Sequence, residues 1–199
     1  MANSANPAPR GARNDSDRYG RVSQVFHWTV ATLIILGFAL GLTLDNWPRG
    51  NPTREGIIFV HKSVGVTVLL LALARIWWLR RSPPPPPAGT LATWERRLAW
   101  LVHNLLYALM ILYPLSGMVL SQAAGKPVTF WGLGPLPQII PFDPAIPATQ
   151  SGWVRGAGAL HTVGMYFALI AVLALHVLGV FKHALIDRDA AMFARMWGR

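Results

Sequence analysis

Residues 157–181 read AGALHTVGMYFALIAVLALHVLGVF, twenty-five positions without a single Asp, Glu, Lys or Arg. A bilayer core of about 30 Å is crossed by roughly 20 apolar residues in a helix, so this stretch is long enough to span it. Three more stretches are as long and nearly as apolar: VSQVFHWTVATLIILGFALGLTL at 22–44, IIFVHKSVGVTVLLLALARIWWL at 57–79, with only Lys62 and Arg75 charged, and LAWLVHNLLYALMILYPLSGMVL at 98–120. The expected fold is therefore all-α, an integral-membrane four-helix up-down bundle. Pro114 lies inside the third span and should kink it, which neighbouring helices in a bundle accommodate.

The composition agrees. The 199-residue chain is 53% hydrophobic and 13% charged, against about 25% charged in a soluble domain. That excludes a disordered chain, which combines few apolar residues with many charges. With no Cys, a disulfide framework, a thiolate metal site and a cysteine nucleophile are excluded as well. A net charge of +10 raises the question of nucleic acid, and the placement of the charges answers it. Thirteen of the eighteen Lys and Arg fall in three places: the N-terminal tail (from Arg10 to Arg21), the middle connection with its flanks (Arg75, Arg80, Arg81, Arg96, Arg97) and the C-terminal tail (from Lys182 to Arg199). The other five, Arg49, Arg54, Lys62, Lys126 and Arg155, fall in the two remaining loops. The positive-inside rule then puts both termini in the cytoplasm and makes most of these residues topology determinants, with no nucleic-acid partner.

Residues 1–17 are polar and read as a disordered cytoplasmic tail without the apolar region of a signal peptide. Residues 18–199 form the four-span domain. Pro83 to Pro87 should act as a stiff polyproline spacer. The aromatic residues Tyr19, Trp28, Trp77, Trp78, Trp94, Trp100 and Trp153 are placed as an interfacial belt.

All six histidines lie in or beside the spans, where an ionisable residue without a partner is costly and so marks a function. At the outer ends of their spans stand His61 and His161, alone at that level. His27, His103 and His176 stand near the inner ends, with His183 about two turns beyond His176. His161 and His176 are 15 residues apart, about 22 Å along a helix and about 60° around it, so both face roughly one side. Two ligand layers at that spacing suit two cofactors stacked across a membrane. Imidazole serves several metals, but no carboxylate or thiolate lies in the spans to complete a tetrahedral site. Paired histidines from two helices fit the axial positions of a haem iron. Without Cys the haem would be non-covalent, b-type. Depth isolates His61 with His161 as one pair and leaves His27, His103, His176 and His183 open for the other. Gly37, Gly41, Gly65, Gly158, Gly164 and Gly179 lie near these residues and leave room for a flat macrocycle, or for close helix packing.

The segments RYGRVSQVFHW, HKSVGVTVLLLALARIWW, HNLLYALMILYPLSGMVLSQAAGKPVTFWG, LHTVGMYF, LALHVLGVFKH and DRDAAMFARM resemble the bacterial cytochrome b561 family of four-helix dihaem membrane proteins, over about residues 18–197. The resemblance implies two haem b groups, one held by His27 and His176 and the other by His61 and His161. It also implies a superoxide:ubiquinone oxidoreductase of the bacterial inner membrane, with superoxide oxidised at the periplasmic face and ubiquinone as the acceptor. Two departures stand out. In that family the two histidines of the fourth span are 14 apart, so the interval of 15 here calls for a π-bulge. Thr162 also replaces the Glu that is common after the first of them.

Among the remaining polar residues, His103 and His183 are placed beside the inner haem, as quinone partners or bonded to a propionate. Arg75 is placed as a propionate partner or as a snorkelling side chain. The five outer cations exceed Asp45, Glu55 and Asp143 by two. Such a field draws small anions inward, and Lys62, next to His61, is the candidate for that role. The alternative reading is a dihaem anchor and electron-relay subunit docked to a separate dehydrogenase or hydrogenase, with a redox protein in place of superoxide. A haem-free transporter is disfavoured by the lack of repeat symmetry or a buried acid.

Overall fold

A computed structural model of the chain describes residues 11–86, 91–188 and 195–197. Its four long helices are α1 (Arg21–Thr43), α2 (Pro52–Arg81), α3 (Thr93–Ala123) and α4 (Gly152–Ile186). Each is long and apolar enough to cross a membrane. A single turn of 3₁₀ helix, Leu44–Asn46, extends α1.

The helices start where local chemistry satisfies their first amides. Asn51 Oδ1 accepts from Thr53 N at 2.9 Å, and Pro52 takes the first helical position of α2, where no N–H is needed. At α3, Glu95 Oε2 accepts from Ala92 N at 3.0 Å. Pro114 lies within α3, which continues to Ala123.

α4 is not uniform. Leu160–Gly164 forms a π-helical turn between the α-helical stretches Gly152–Ala159 and Met165–Phe181. The wider turn absorbs one residue, so the 15-residue interval acts as about 14 α-helical steps. A second π-helical turn, Lys182–Ile186, ends the helix.

Close packing runs from α1 to α2, α2 to α3 and α3 to α4. Val30, Val64, Val68, Ala72 and Met110 make one core between α1, α2 and α3. Val102, Leu109, Leu169 and Val172 make a second between α3 and α4. Trp78 Nε1 donates to Ser23 Oγ at 3.0 Å, tying α2 to α1. Large apolar residues that do not line the cavity described below, such as Val25, Leu36, Leu73, Leu112 and Ile170, are exposed, as lipid-facing residues of a bundle must be. α1 and α4 meet instead through side-chain rings, among them Phe38 stacked on Tyr166 with centroids 5.3 Å apart.

The long connection from α3 to α4 is organised by one side chain. The buried Gln122 accepts at Oε1 from Ile139 N (3.0 Å) and Ile140 N (3.1 Å) and donates from Nε2 to Pro137 O (2.8 Å). Trp131 adopts φ 46° and ties this loop to α2, donating from N to Ser63 Oγ (3.1 Å) and from Nε1 to Thr67 Oγ1 (2.9 Å).

The tail expected to lack structure lies outside the described residues over 1–10. Its later part is held: Asn14 donates from N to Ser82 Oγ (2.8 Å) and from Nδ2 to Ser82 O (2.7 Å). Asp15 Oδ1 accepts from the amides of Asp17 and Arg18, which holds its carboxyl below the usual carboxylate range. Of the proline run, Pro83–Pro86 are described and non-helical, and Pro87 lies outside the described residues.

Candidate haem-binding site

A partly open cavity of about 1800 Å³ runs through the bundle and reaches His27, His61, His103, His161, His176 and His183. A pocket for one organic cofactor is roughly 300–1,000 Å³, so the space exceeds what one such group needs.

At one end, α2 supplies His61 and α4 supplies His161, with ring centroids 6.1 Å apart. Both rings are oriented from behind. His61 Nδ1 donates to Gly37 O on α1 at 2.9 Å. His161 Nδ1 lies 3.1 Å from Tyr113 O and 2.9 Å from Ser116 Oγ, both on α3. A ring that gives its Nδ1 proton to a carbonyl presents Nε2 as a lone-pair donor, the arrangement typical of metal-ligating histidine. Small residues let the rings sit there. A Cβ at Gly41 would lie 3.4 Å from His61 Cε1, and a Cβ at Gly117 would lie 2.8 Å from His161 Cε1. Gly117 was not among the glycines singled out in the sequence. Its signal was available in the SGMV run just after Pro114, where a residue without a side chain leaves a bare edge that meets His161 of α4.

At the other end, His27 of α1 and His176 of α4 have centroids 6.3 Å apart, and His103 of α3 lies 5.1 Å from His176. Arg75 reaches His27 Nδ1 from Nη1 and Nη2, each at 3.4 Å, and its guanidinium lies 5.6 Å from the centre of the Tyr107 ring. His103 Nδ1 is committed to Ala99 O at 2.6 Å, within its own helix. His183 stands apart, with Nδ1 2.6 Å from Asp187 Oδ2. The sequence-level group of inner histidines thus separates into three that meet and one that does not.

Haem can be tested against these rings. A metal–imidazole nitrogen bond is about 2 Å, and the ring centre lies about 1 Å further, so two imidazoles on one iron have centres about 6 Å apart. The two separations of 6.1 and 6.3 Å meet this, while the 5.1 Å of His103 and His176 falls short. Gly65 and Gly179 line the cavity with nothing within 4 Å of a built Cβ, which leaves open space beside each layer. Separation and space therefore fit haem at both ends, and the tautomer fits at His61 and His161; His27 would present Nε2 in the same way only once Arg75, which can only donate, releases its Nδ1.

Lys62 lines the same cavity, at the His61 end, with Arg49, Arg54, Lys126 and the acid Asp45. Its ammonium is not free: Nζ donates to Pro127 O at 2.9 Å. Thr162, at the position of the missing Glu, bonds back to Gly158 O at 2.9 Å. Trp28, placed in the interfacial belt, donates from Nε1 to Met196 O at 3.0 Å and lies 5.0 Å from the His27 ring.

The family model for prokaryotic cytochrome b561 matches residues 18–199. The chain belongs to that family. It is 32% identical to cytochrome b561 homolog 2 of Escherichia coli strain K12 over 193 residues, 94% of each chain. It is 28% identical to cytochrome b561 homolog 1 of the same strain over 126 residues, 63% of this chain and 71% of that protein. As a cytochrome b561 with four apolar helices it is a multi-pass bacterial membrane protein that transfers electrons through haem b.

Proposed function

We propose that this cytochrome holds two b haems, one between His61 and His161 and one between His27 and His176, within a single unit of residues 18–199. Electrons enter from superoxide at the periplasmic side of the inner membrane and leave to ubiquinone near the cytoplasmic side, where both termini lie. The orientation is supported by the sequence, which has thirteen cations in the two tails and the middle connection against five in the other two loops.

The observation that carries the reading is the His61–His161 pair, with each Nδ1 anchored on another helix and centroids 6.1 Å apart. When bound, haem supplies one-electron chemistry. Everything else falls to the chain. Gly37 O, Tyr113 O and Ser116 Oγ fix the outer rings in one tautomer and orientation. Arg75, beside His27, is positioned to meet a propionate. Lys62, with Arg49, Arg54 and Lys126, makes the outer mouth positive and draws a small anion toward His61. His103 and His183 line the inner part of the cavity as hydrogen-bonding groups for quinone or propionate.

The test is quinol formation by the purified protein under a steady superoxide flux with a short-chain ubiquinone. Turnover with the protein alone supports the reading. Turnover only after adding a dehydrogenase or hydrogenase would make the chain a relay subunit.

A further inference from the structure

Reducing a quinone requires protons as well as electrons, and the inner end of the cavity has one constellation built to supply them. The last turn of α4 is π-helical, with Asp187 N donating to Lys182 O at 3.2 Å, five residues back. That widening brings two consecutive residues onto one carboxylate: Lys182 Nζ lies 2.8 Å and His183 Nδ1 2.6 Å from Asp187 Oδ2. Lys182 also pairs with Glu95 at the start of α3, so the cluster bridges the two helix ends. His183, Lys182 and Glu95 line the cavity, and Asp187 does not. Exposure follows the same direction: the His183 side chain is 14% exposed and that of Asp187 35%. The cluster therefore crosses the cavity wall, with an imidazole inside and a carboxylate toward solvent. Glu95, His183 and Asp187 have the spacing of a cation site, but the Lys182 ammonium already bridges both acids.

We propose that His183, oriented by Asp187, is the proton donor to a quinone bound at the inner end of this cavity, and that Lys182 and Glu95 hold the dyad in place. The proposal rests on the quinone-reducing reading given above. Two superoxide anions each give up one electron and leave as O₂. The quinone takes both electrons and two protons, forming two O–H bonds as quinol. Each proton leaves His183 Nε2 for a quinone oxygen, and His183 recovers it from the aqueous phase beside Asp187. Asp187 is a positioning residue: its anion fixes Nδ1–H and stabilises the imidazolium, the role a buried aspartate plays behind a catalytic histidine. Its hydrogen bond from Lys182 is the main cause holding its carboxyl below the usual range, so it stays ionised at neutral pH. Among the described residues, the charged groups clustered with His183 are Lys182 from its own helix, Asp187 just beyond it and Glu95 from α3.

The experiment measures quinol formation by the haem-loaded protein from pH 5.5 to 9, under a superoxide flux with a short-chain ubiquinone. It compares wild type, His183→Gln and Asp187→Asn, with haem content as a parallel readout. General-acid catalysis contributes about 10²–10⁴-fold. His183→Gln is expected to lose at least tenfold in turnover with both haems retained, and added imidazole should restore part of it. Asp187→Asn is expected to move the alkaline limb of the profile to lower pH, because an imidazolium without its anion gives up its proton more readily. If His183→Gln loses haem, the limb in Asp187→Asn decides. Wild-type turnover and an unshifted profile in the variants would overturn the relay while leaving quinone reduction standing. No quinol from wild type would overturn both.

Discussion

Gly117→Ala tests the outer site with the smallest possible change. The added methyl carbon would stand 2.8 Å from His161 Cε1, 3.2 Å from Nδ1 and 3.3 Å from Nε2, against an ordinary contact of 3.4 Å or more. Relief requires the ring to retreat by about 0.6 Å, the difference between 3.4 and 2.8 Å. The anchors of Nδ1, at 2.9 Å to Ser116 Oγ and 3.1 Å to Tyr113 O, then lengthen toward the limit of hydrogen bonding at about 3.5 Å. Losing the partner behind a metal-ligating histidine costs about 10–100-fold in affinity, or roughly 1.4–2.8 kcal/mol at 1.4 kcal/mol per decade. The fold should not suffer, since Ala is a better helix residue than Gly by up to about 1 kcal/mol. The assay is haem per chain and the redox difference spectrum of purified protein, with thermal stability alongside. The expected result is about one haem per chain at limiting haem and unchanged or higher stability. Gly56→Ala, with nothing within 4 Å of its Cβ, should keep both haems and serves as the control. Gly117→Ala with two haems and an unaltered spectrum would refute the role of the His161 anchors.

Other outcomes follow from the same geometry. Ala at His61 or His161 should remove one haem and Ala at His27 or His176 the other, whereas His103→Ala should keep both; spectra and haem content of each variant decide. Gln122→Ala removes three hydrogen bonds from the outer loop, at about 1–3 kcal/mol for each buried group left unpaired. Amide exchange over residues 136–141 should rise, with haem content unchanged. Asp187 titrates below its ordinary value of 3.8 in the folded protein, chiefly through the bond from Lys182. Its contribution to stability is therefore complete above that ordinary value and lost as pH falls through the lowered one. Asp187→Asn should accordingly lower thermal stability at pH 7 and lose that difference in strong acid.

The spans were legible because a bilayer imposes a length and composition that no other environment demands. The pairing of His61 with His161 could be read for a similar reason: of the six histidines only these two lie at that depth, and their ring centroids stand 6.1 Å apart. The π-helical turn at His161 was also readable, because the interval of 15 is one residue longer than the 14 usual in the family that the chain resembles. The inner end resisted, because depth along a helix does not give direction around it. His27, His103 and His176 share a level, and the facing of α3 is what puts His103 5.1 Å from His176 with its Nδ1 on Ala99. Lys62 resisted as well, because its partner, Pro127 O, belongs to a loop whose path is set by Gln122 and Trp131.

α3 is the helix whose importance the sequence hides. It supplies neither of the proposed outer ligands, yet it sets the position of His161 through Tyr113 O, Ser116 Oγ and the bare edge of Gly117. Pro114 falls among these three residues, and a proline there leaves the carbonyl four residues back without its amide donor and bends the helix. In a membrane such a break is tolerated where neighbouring helices, Ser or Thr side chains or local adjustments of the helix satisfy the freed backbone groups. The π-helical turn of α4 faces this same stretch. Two irregular helices, one short of an amide and one carrying a surplus residue, thus meet at the same histidine. If each irregularity exists to serve that contact, they are coupled. Pro114→Ala and deletion of Thr162, each alone, should weaken the outer haem, and the double variant should lose less than the sum of the two. Additive losses in haem affinity across that cycle would mean that the kink and the wide turn are independent features of their own helices.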